Sequence, residues 1–221
     1  MSTMRVLLVL ALLAIASTLS AATSEVVLKN DRVEIVKVVA EPAHVTGDHQ
    51  HKINRVMIYL DKGGQVVTYK DDGKIVEETW AAGQVLWSPA EGLHRVAYRT
   101  DWPVSLVKIE LQRHTPLGAK PLGPLDPLKV DPGHYAVELE NEQVRVIRVK
   151  VAEGGSIPLH EHARQRAVVY LTDADFEQVL ADGRRVESHQ KRGDVVWSET
   201  PVRHRERNLG GAFEGLVVEL K

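Results

Sequence analysis

Two histidines one residue apart, His160 and His162, are followed by a third, His204, and the first half of the chain repeats the arrangement as His49, His51 and His94. Imidazole is the commonest side-chain metal ligand, and a set of three leaves coordination positions open for substrate, water or dioxygen. Iron, manganese, nickel and zinc all accept nitrogen ligands of this kind, so the implied cofactor is a divalent transition metal. Four residues beyond each pair stands an arginine, Arg55 in the first half and Arg166 in the second. A guanidinium stays protonated at any accessible pH and offers no acceptor, so neither arginine is a ligand. Each is instead a candidate clamp for a substrate carboxylate or enolate, a role its planar fork suits.

Side chains on a strand alternate faces with a period of two, so the members of each His-x-His pair project to the same side. The third histidine, far along the chain, must come from another strand for three rings to converge. The surrounding sequence supplies strands. Val144–Val151 is largely β-branched, Ala167–Leu171 is wholly apolar, and Asp72-Gly73 and Asp182-Gly183 are hairpin turn signals. No sustained helical periodicity accompanies them, which predicts an all-β sandwich or barrel.

The two halves are copies. In constant register, Asn30 matches Asn141, Val33 matches Val144, Tyr59-Leu60 match Tyr170-Leu171, and Arg55 matches Arg166. After a slip of one residue, Asp72-Gly73, Gly83, Trp87-Ser88 and His94-Arg95 match Asp182-Gly183, Gly193, Trp197-Ser198 and His204-Arg205. Matches held over such a length predict two copies of one domain, at residues 23–111 and 134–221. Residues 112–133 between them hold five of the ten prolines, a density that predicts an extended connector without helix, its leucines lying against a domain. Residues 1–22 read as a signal peptide. Arg5 precedes an apolar run of 11 residues, Val6–Ala16, too short to span a bilayer, and Ser20-Ala21-Ala22 gives a cleavage site. The expected location is therefore periplasmic or secreted.

A chain of 221 residues with a formal net charge of −2 and no basic run argues against nucleic acid or anionic membrane as partner. The absence of cysteine leaves stability to packed cores or metal, and leaves no thiol for a lipid anchor. The expected partner is a small-molecule ligand, and the expected state a monomer or homodimer without membrane attachment.

Gly154-x5-His160-x-His162 followed by Gly193-x10-His204-x3-Asn208, echoed by His49-x-His51 and Gly83-x5-Pro89 with His94, resembles the paired motifs of the cupin superfamily. The whole chain thus resembles a bicupin, in wording similar to small exported bacterial cupins without an assigned reaction. The resemblance implies two tandem double-stranded β-helix (jelly-roll) barrels, each with a metal held by three histidines and a glutamate. Arg55 and Arg166 stand where that glutamate is expected. Three arrangements are then open: three histidines hold metal alone, the pocket holds an anion and no metal, or the arginines swing out to surface acids. Glu206, on the strand parity of His204, is a candidate replacement carboxylate. Dioxygenase-like or isomerase-like chemistry on a small organic acid, binding of a small anion or sugar acid without catalysis, and a structural or storage role all suit the resemblance. Gly154 and Asn208 keep the motif where the first copy has Ala43 and Tyr98, which favours the second barrel as the active one. Trp87, Trp197, Tyr59 and Tyr170 are expected in the core, and His44, His114, His134 and His189 in loops or at the surface.

Overall fold

The computed structural model describes residues 21–112, 122–199 and 201–221; the expected leader, apart from its last two residues, lies outside them, as does His114. The first half runs β1 (Ala22–Lys29), β2 (Val33–Ala40), β3 (His49–His51), β4 (Arg55–Tyr59), β5 (Gly63–Tyr69), β6 (Ile75–Trp80), β7 (Gln84–Ser88), β8 (Glu91–Tyr98) and β9 (Val104–Leu111). These form a five-stranded sheet in the order β1-β2-β9-β4-β7 and a four-stranded sheet in the order β3-β8-β5-β6. After a short helix, α1 (Pro127–Val130), the second half runs β10 (Tyr135–Glu140), β11 (Val144–Val151), β12 (Ser156–His162), β13 (Arg166–Tyr170), β14 (Ala174–Leu180), β15 (Arg185–Gln190), β16 (Val195–Ser198), β17 (Val202–Asn208) and β18 (Phe213–Leu220). Its sheets, β10-β11-β18-β13-β16 and β12-β17-β14-β15, repeat the first pair strand for strand, all antiparallel.

The duplication reaches the backbone. Every described residue with positive φ has its counterpart in the other half: Ala43 with Gly154, Gly73 with Gly183, and Gly83 with Gly193. Asp72 and Asp182 turn the matching hairpins alike, each carboxylate accepting from the backbone N–H two residues on.

The two five-stranded sheets pack against each other. Val33, Ile35, Val56, Ile58, Val107 and Ile109 of the first half and Val144, Val146, Val169, Leu216 and Val218 of the second form one buried cluster. Alternate residues of the same strands point the other way, into the barrels: Arg55, Met57 and Tyr59 line the first cavity, and Arg166, Val168 and Tyr170 the second. This accounts for the apolar run Ala167–Leu171, since a strand buried on both faces has no solvent side to mark with polar residues. Contacts between the halves come in symmetry-related pairs. Arg32 donates to Gln165 at 2.9 Å, and Asn54 donates to Gln143 at 2.6 Å. A Cβ on Gly83 would meet Leu171, and one on Gly193 would meet Leu60, both at 3.2 Å.

The connector departs from expectation in one respect. Its described part, from residue 122, contains helix α1, which the proline density had argued against. Pro127 opens the helix, where its missing N–H costs nothing, and Asp126 caps it by accepting from Leu128 N. The connector does lie against the second half, with Leu125 O accepting from Glu161 N at 2.7 Å.

Candidate metal centre

His49 and His51 leave β3 on one side and meet His94 of β8, which stands opposite His49 in register. Ring centroids lie 5.0 Å apart for His49–His51, 4.5 Å for His49–His94 and 5.4 Å for His51–His94. In the second half His160 stands opposite His204, and the corresponding distances are 4.9, 4.4 and 5.8 Å. Within each triad the candidate ligand atoms all lie within 4.8 Å of one another. Three of the rings are oriented by the carbonyl two residues back: Nδ1 donates to Gly47 O in His49 (2.9 Å), Gly92 O in His94 (2.7 Å) and Pro158 O in His160 (2.9 Å). A carbonyl only accepts, so Nδ1 carries the proton and Nε2 keeps its lone pair, free to ligate a metal.

Burial sets the protonation state. Removal from water, then the field of Arg55, lowers His51 to about 3. Burial and the neighbouring imidazoles lower His204 to about 2, and burial with the Arg166 guanidinium drives His162 well below the ordinary histidine range. All three are neutral near pH 7. Both ring nitrogens of His204 and Nδ1 of His162 are buried without a hydrogen-bond partner among the described residues. An orphaned buried polar atom costs about 1–3 kcal/mol, and an ion taking a His204 lone pair would offset part of that. The triads therefore fit a divalent transition metal.

The arginines point inward. Arg55 and Arg166 are buried (5% and 6% exposed) and line the cavities that hold the histidines, so the outward-swinging arrangement does not occur. The first cavity has a volume of about 500 Å³ and the second about 270 Å³. Nε and Nη1 of Arg55 have no hydrogen-bond partner among the described residues, and Lys108 lines the same cavity.

A carboxylate returns to the first site by a route that strand parity hides. Glu91 Oε2 lies 3.7 Å from His94 Nε2 and 3.6 Å from Arg55 Nη2, while Ser88 donates to Oε1 at 2.9 Å. Three residues apart on a regular strand, Glu91 and His94 would face opposite ways. The register slips between His49↔His94 and His51↔Glu91, and this bulge restores them to one side. Glu206 does line the second cavity as expected, but its Oε1 lies 3.4 Å from Nδ1 of His204 and it accepts from Gln178 at 2.7 Å. Burial raises its carboxyl to about 7, which leaves it partly protonated at neutral pH and a poor ligand.

Tyr59 and Tyr170 line the cavities while packing into the barrel cores, and Trp87 and Trp197 line them too while packing against the core between the halves. His44 lines the first cavity, with its ring 6.2 Å from Tyr98. His134 and His189 sit apart, bonded to Asp131 and Asp175. Asn208 is a loop pin: its Nδ2 donates to Ala152 O (3.1 Å) and Gly211 O (2.7 Å). Ala43 adopts the same left-handed turn as Gly154, with φ of 54° and 68° respectively. Both motif differences between the halves are thus structural, and neither favours chemistry in the second.

The second half also carries a buried ionic chain with no signature in the sequence. Arg145 joins Asp126 and Glu219, each at 2.7 Å, and Glu219 lies 3.6 Å from both Arg164 and Nδ1 of His162.

Solved structures resemble this architecture over nearly its whole length. AerE from Microcystis aeruginosa aligns with a TM-score of 0.67 at 15% identity, covering 94% of this chain and 95% of that one. Oxalate decarboxylase from Bacillus subtilis aligns with a TM-score of 0.62 at 14% identity, covering 90% of this chain and 71% of that one. A cupin 2 conserved barrel domain protein from Leptotrichia buccalis aligns with a TM-score of 0.57 at 13% identity, covering 94% and 92%. The fold is that of a bicupin. At these identities the likeness speaks for the fold alone. No family model and no curated protein matches the sequence. Of the bicupins compared, the B. subtilis decarboxylase has Mn(II) centres.

Proposed function

We propose that this bicupin is an exported, metal-dependent enzyme that takes a small organic acid into its first cavity. The observation that carries the reading is a buried guanidinium, Arg55, with unpartnered donors in the cavity of a neutral three-histidine cluster. Buried donors of this kind are matched by an anion, and a carboxylate fits the arginine fork. The oxalate decarboxylase fold and its Mn(II) centres lend support by analogy.

His49, His51 and His94 would hold the metal, with Glu91 within reach of the same point. A bound divalent ion supplies Lewis acidity toward a substrate oxygen. The chain does the rest. Arg55 orients the carboxylate and Lys108 adds positive field behind it. Glu91, held by Ser88 and Arg55, is placed to take or return a proton at Oε2. Burial raises Tyr98 to about 12 and Tyr59 further, so both hydroxyls remain donors at neutral pH.

The same positive field supports a second reading, in which the pocket holds an anion without metal, because a cation beside Arg55 and Lys108 is opposed by both. Thermal shift with a panel of small mono- and dicarboxylates, on metal-free and Mn(II)-loaded protein, separates the two. The enzyme reading predicts stabilisation that is greater with metal and lost in Arg55→Ala, followed by turnover of a stabilising acid. Equal stabilisation with and without metal, and no turnover, supports the binding protein. If no acid shifts the melting temperature in either form, both readings are wrong.

A further inference from the structure

The two triads match in spacing but, besides Glu91, their surroundings differ at a strand position facing the rings. Tyr135 and Ser24 are equivalent: Tyr135 pairs with Val149 on β11, and Ser24 with Val38 on β2. Ser24 lines the first cavity and leaves it open. Tyr135 instead reaches the second triad, where its hydroxyl lies 3.3 Å from Nε2 of His160, with ring centroids 5.6 Å apart. Because Nδ1 of His160 donates to Pro158 O, Nε2 is an acceptor, and the hydrogen bond must run from the tyrosine hydroxyl to the nitrogen. That lone pair is the one a metal would use. In the first half, the hydrogen-bond contacts of the equivalent His49 run through Nδ1, to Gly47 O and Thr46, and leave Nε2 without a donor among the described residues.

Burial follows the same division. His160 is fully buried and Tyr135 is 3% exposed, among Ile147, Val149, Phe176 and Phe213, whereas His49 and His51 are half-buried on the wall of the larger cavity. We propose that Tyr135 is an internal cap on the second triad, competing with metal for His160 Nε2, so that the first triad is the tighter metal site. The inference rests on the metal-binding reading above and concerns how the metal is shared between the halves.

Zn(II) titration of full-length, metal-free protein, followed by competition with a chromophoric chelator, tests it. His160→Ala/His162→Ala leaves the first triad alone, and His49→Ala/His51→Ala leaves the second. The second alone should bind more weakly, and adding Tyr135→Phe, which removes only the oxygen, should tighten it by about three- to tenfold, the worth of one hydrogen bond. Tyr135→Ser, copying Ser24, should do the same, and circular dichroism checks that both variants keep the fold. The converse change, Ser24→Tyr, should weaken the first triad. Unchanged or weaker Zn(II) binding in Tyr135→Phe and Tyr135→Ser would overturn the cap, the weaker result making the tyrosine a ligand. Failure of the first triad to bind Zn(II) at all counts against the metal reading itself, and so is distinct from failure of the cap.

Discussion

Arg55 is where residue chemistry and function meet, because its charge is buried beside groups that must stay neutral. Arg55→Ala should abolish stabilisation by organic acids in thermal shift, while Arg55→Lys, which keeps charge but loses the fork, should restore only part of it. The histidines give a pH dependence whose sign is fixed. His51, His162 and His204 titrate far below the ordinary value of 6.5 when folded, so the unfolded chain takes up protons first as pH falls. The stability they contribute is complete above about pH 6.5 and is lost progressively below it. Urea midpoints of metal-free protein should therefore be lower at pH 5 than at pH 7.5; a midpoint that rises on acidification contradicts the neutral assignment. Residue identity made the six histidines and two arginines legible in the sequence. Glu91 and Tyr135 were not, since neither repeats between the halves and the duplication was the guide.

At the scale of elements, turns and bulges decide what faces the site. Ala43 holds a left-handed conformation that Gly154 adopts without strain. Gly154→Ala should cost about 1 kcal/mol, while Ala43→Gly should be neutral or stabilise by up to about 1 kcal/mol in urea unfolding. The strands were readable from β-branched runs and Asp-Gly turns because those patterns are local. The bulge that brings Glu91 beside His94 depends on pairing between strands, which sequence periodicity does not carry. Helix α1 was missed for a related reason: proline forbids a helix interior but favours its first turn. Asp126 both caps that helix and meets Arg145 in the buried chain that ends near His162. Asp126→Ala should cost about 3–5 kcal/mol by leaving a buried guanidinium short of a partner. Asp126→Asn should keep the cap and lose only the charge, and a smaller loss of denaturation midpoint would show the two contributions apart.

Across the whole molecule, the five-stranded sheets of the two barrels pack back to back over one shared buried cluster. Ile58, fully buried between the halves, should cost about 2–5 kcal/mol when cut to alanine and should unfold both halves in one transition. Two separate calorimetric transitions would contradict the shared core. The internal repeat made this architecture legible, because matched sequence implies matched sheets; it did not reveal that the halves have diverged, with an open cavity in one and a capped triad in the other. On the proposed function the histidine triads hold metal, the first more tightly. This reading is tested most directly by elemental analysis of full-length protein purified without chelator or histidine tag, beside His94→Ala and His204→Ala variants. About one equivalent or more of a divalent transition metal is expected, with the larger loss in His94→Ala. Metal below about a tenth of an equivalent, unchanged in both variants, would contradict it.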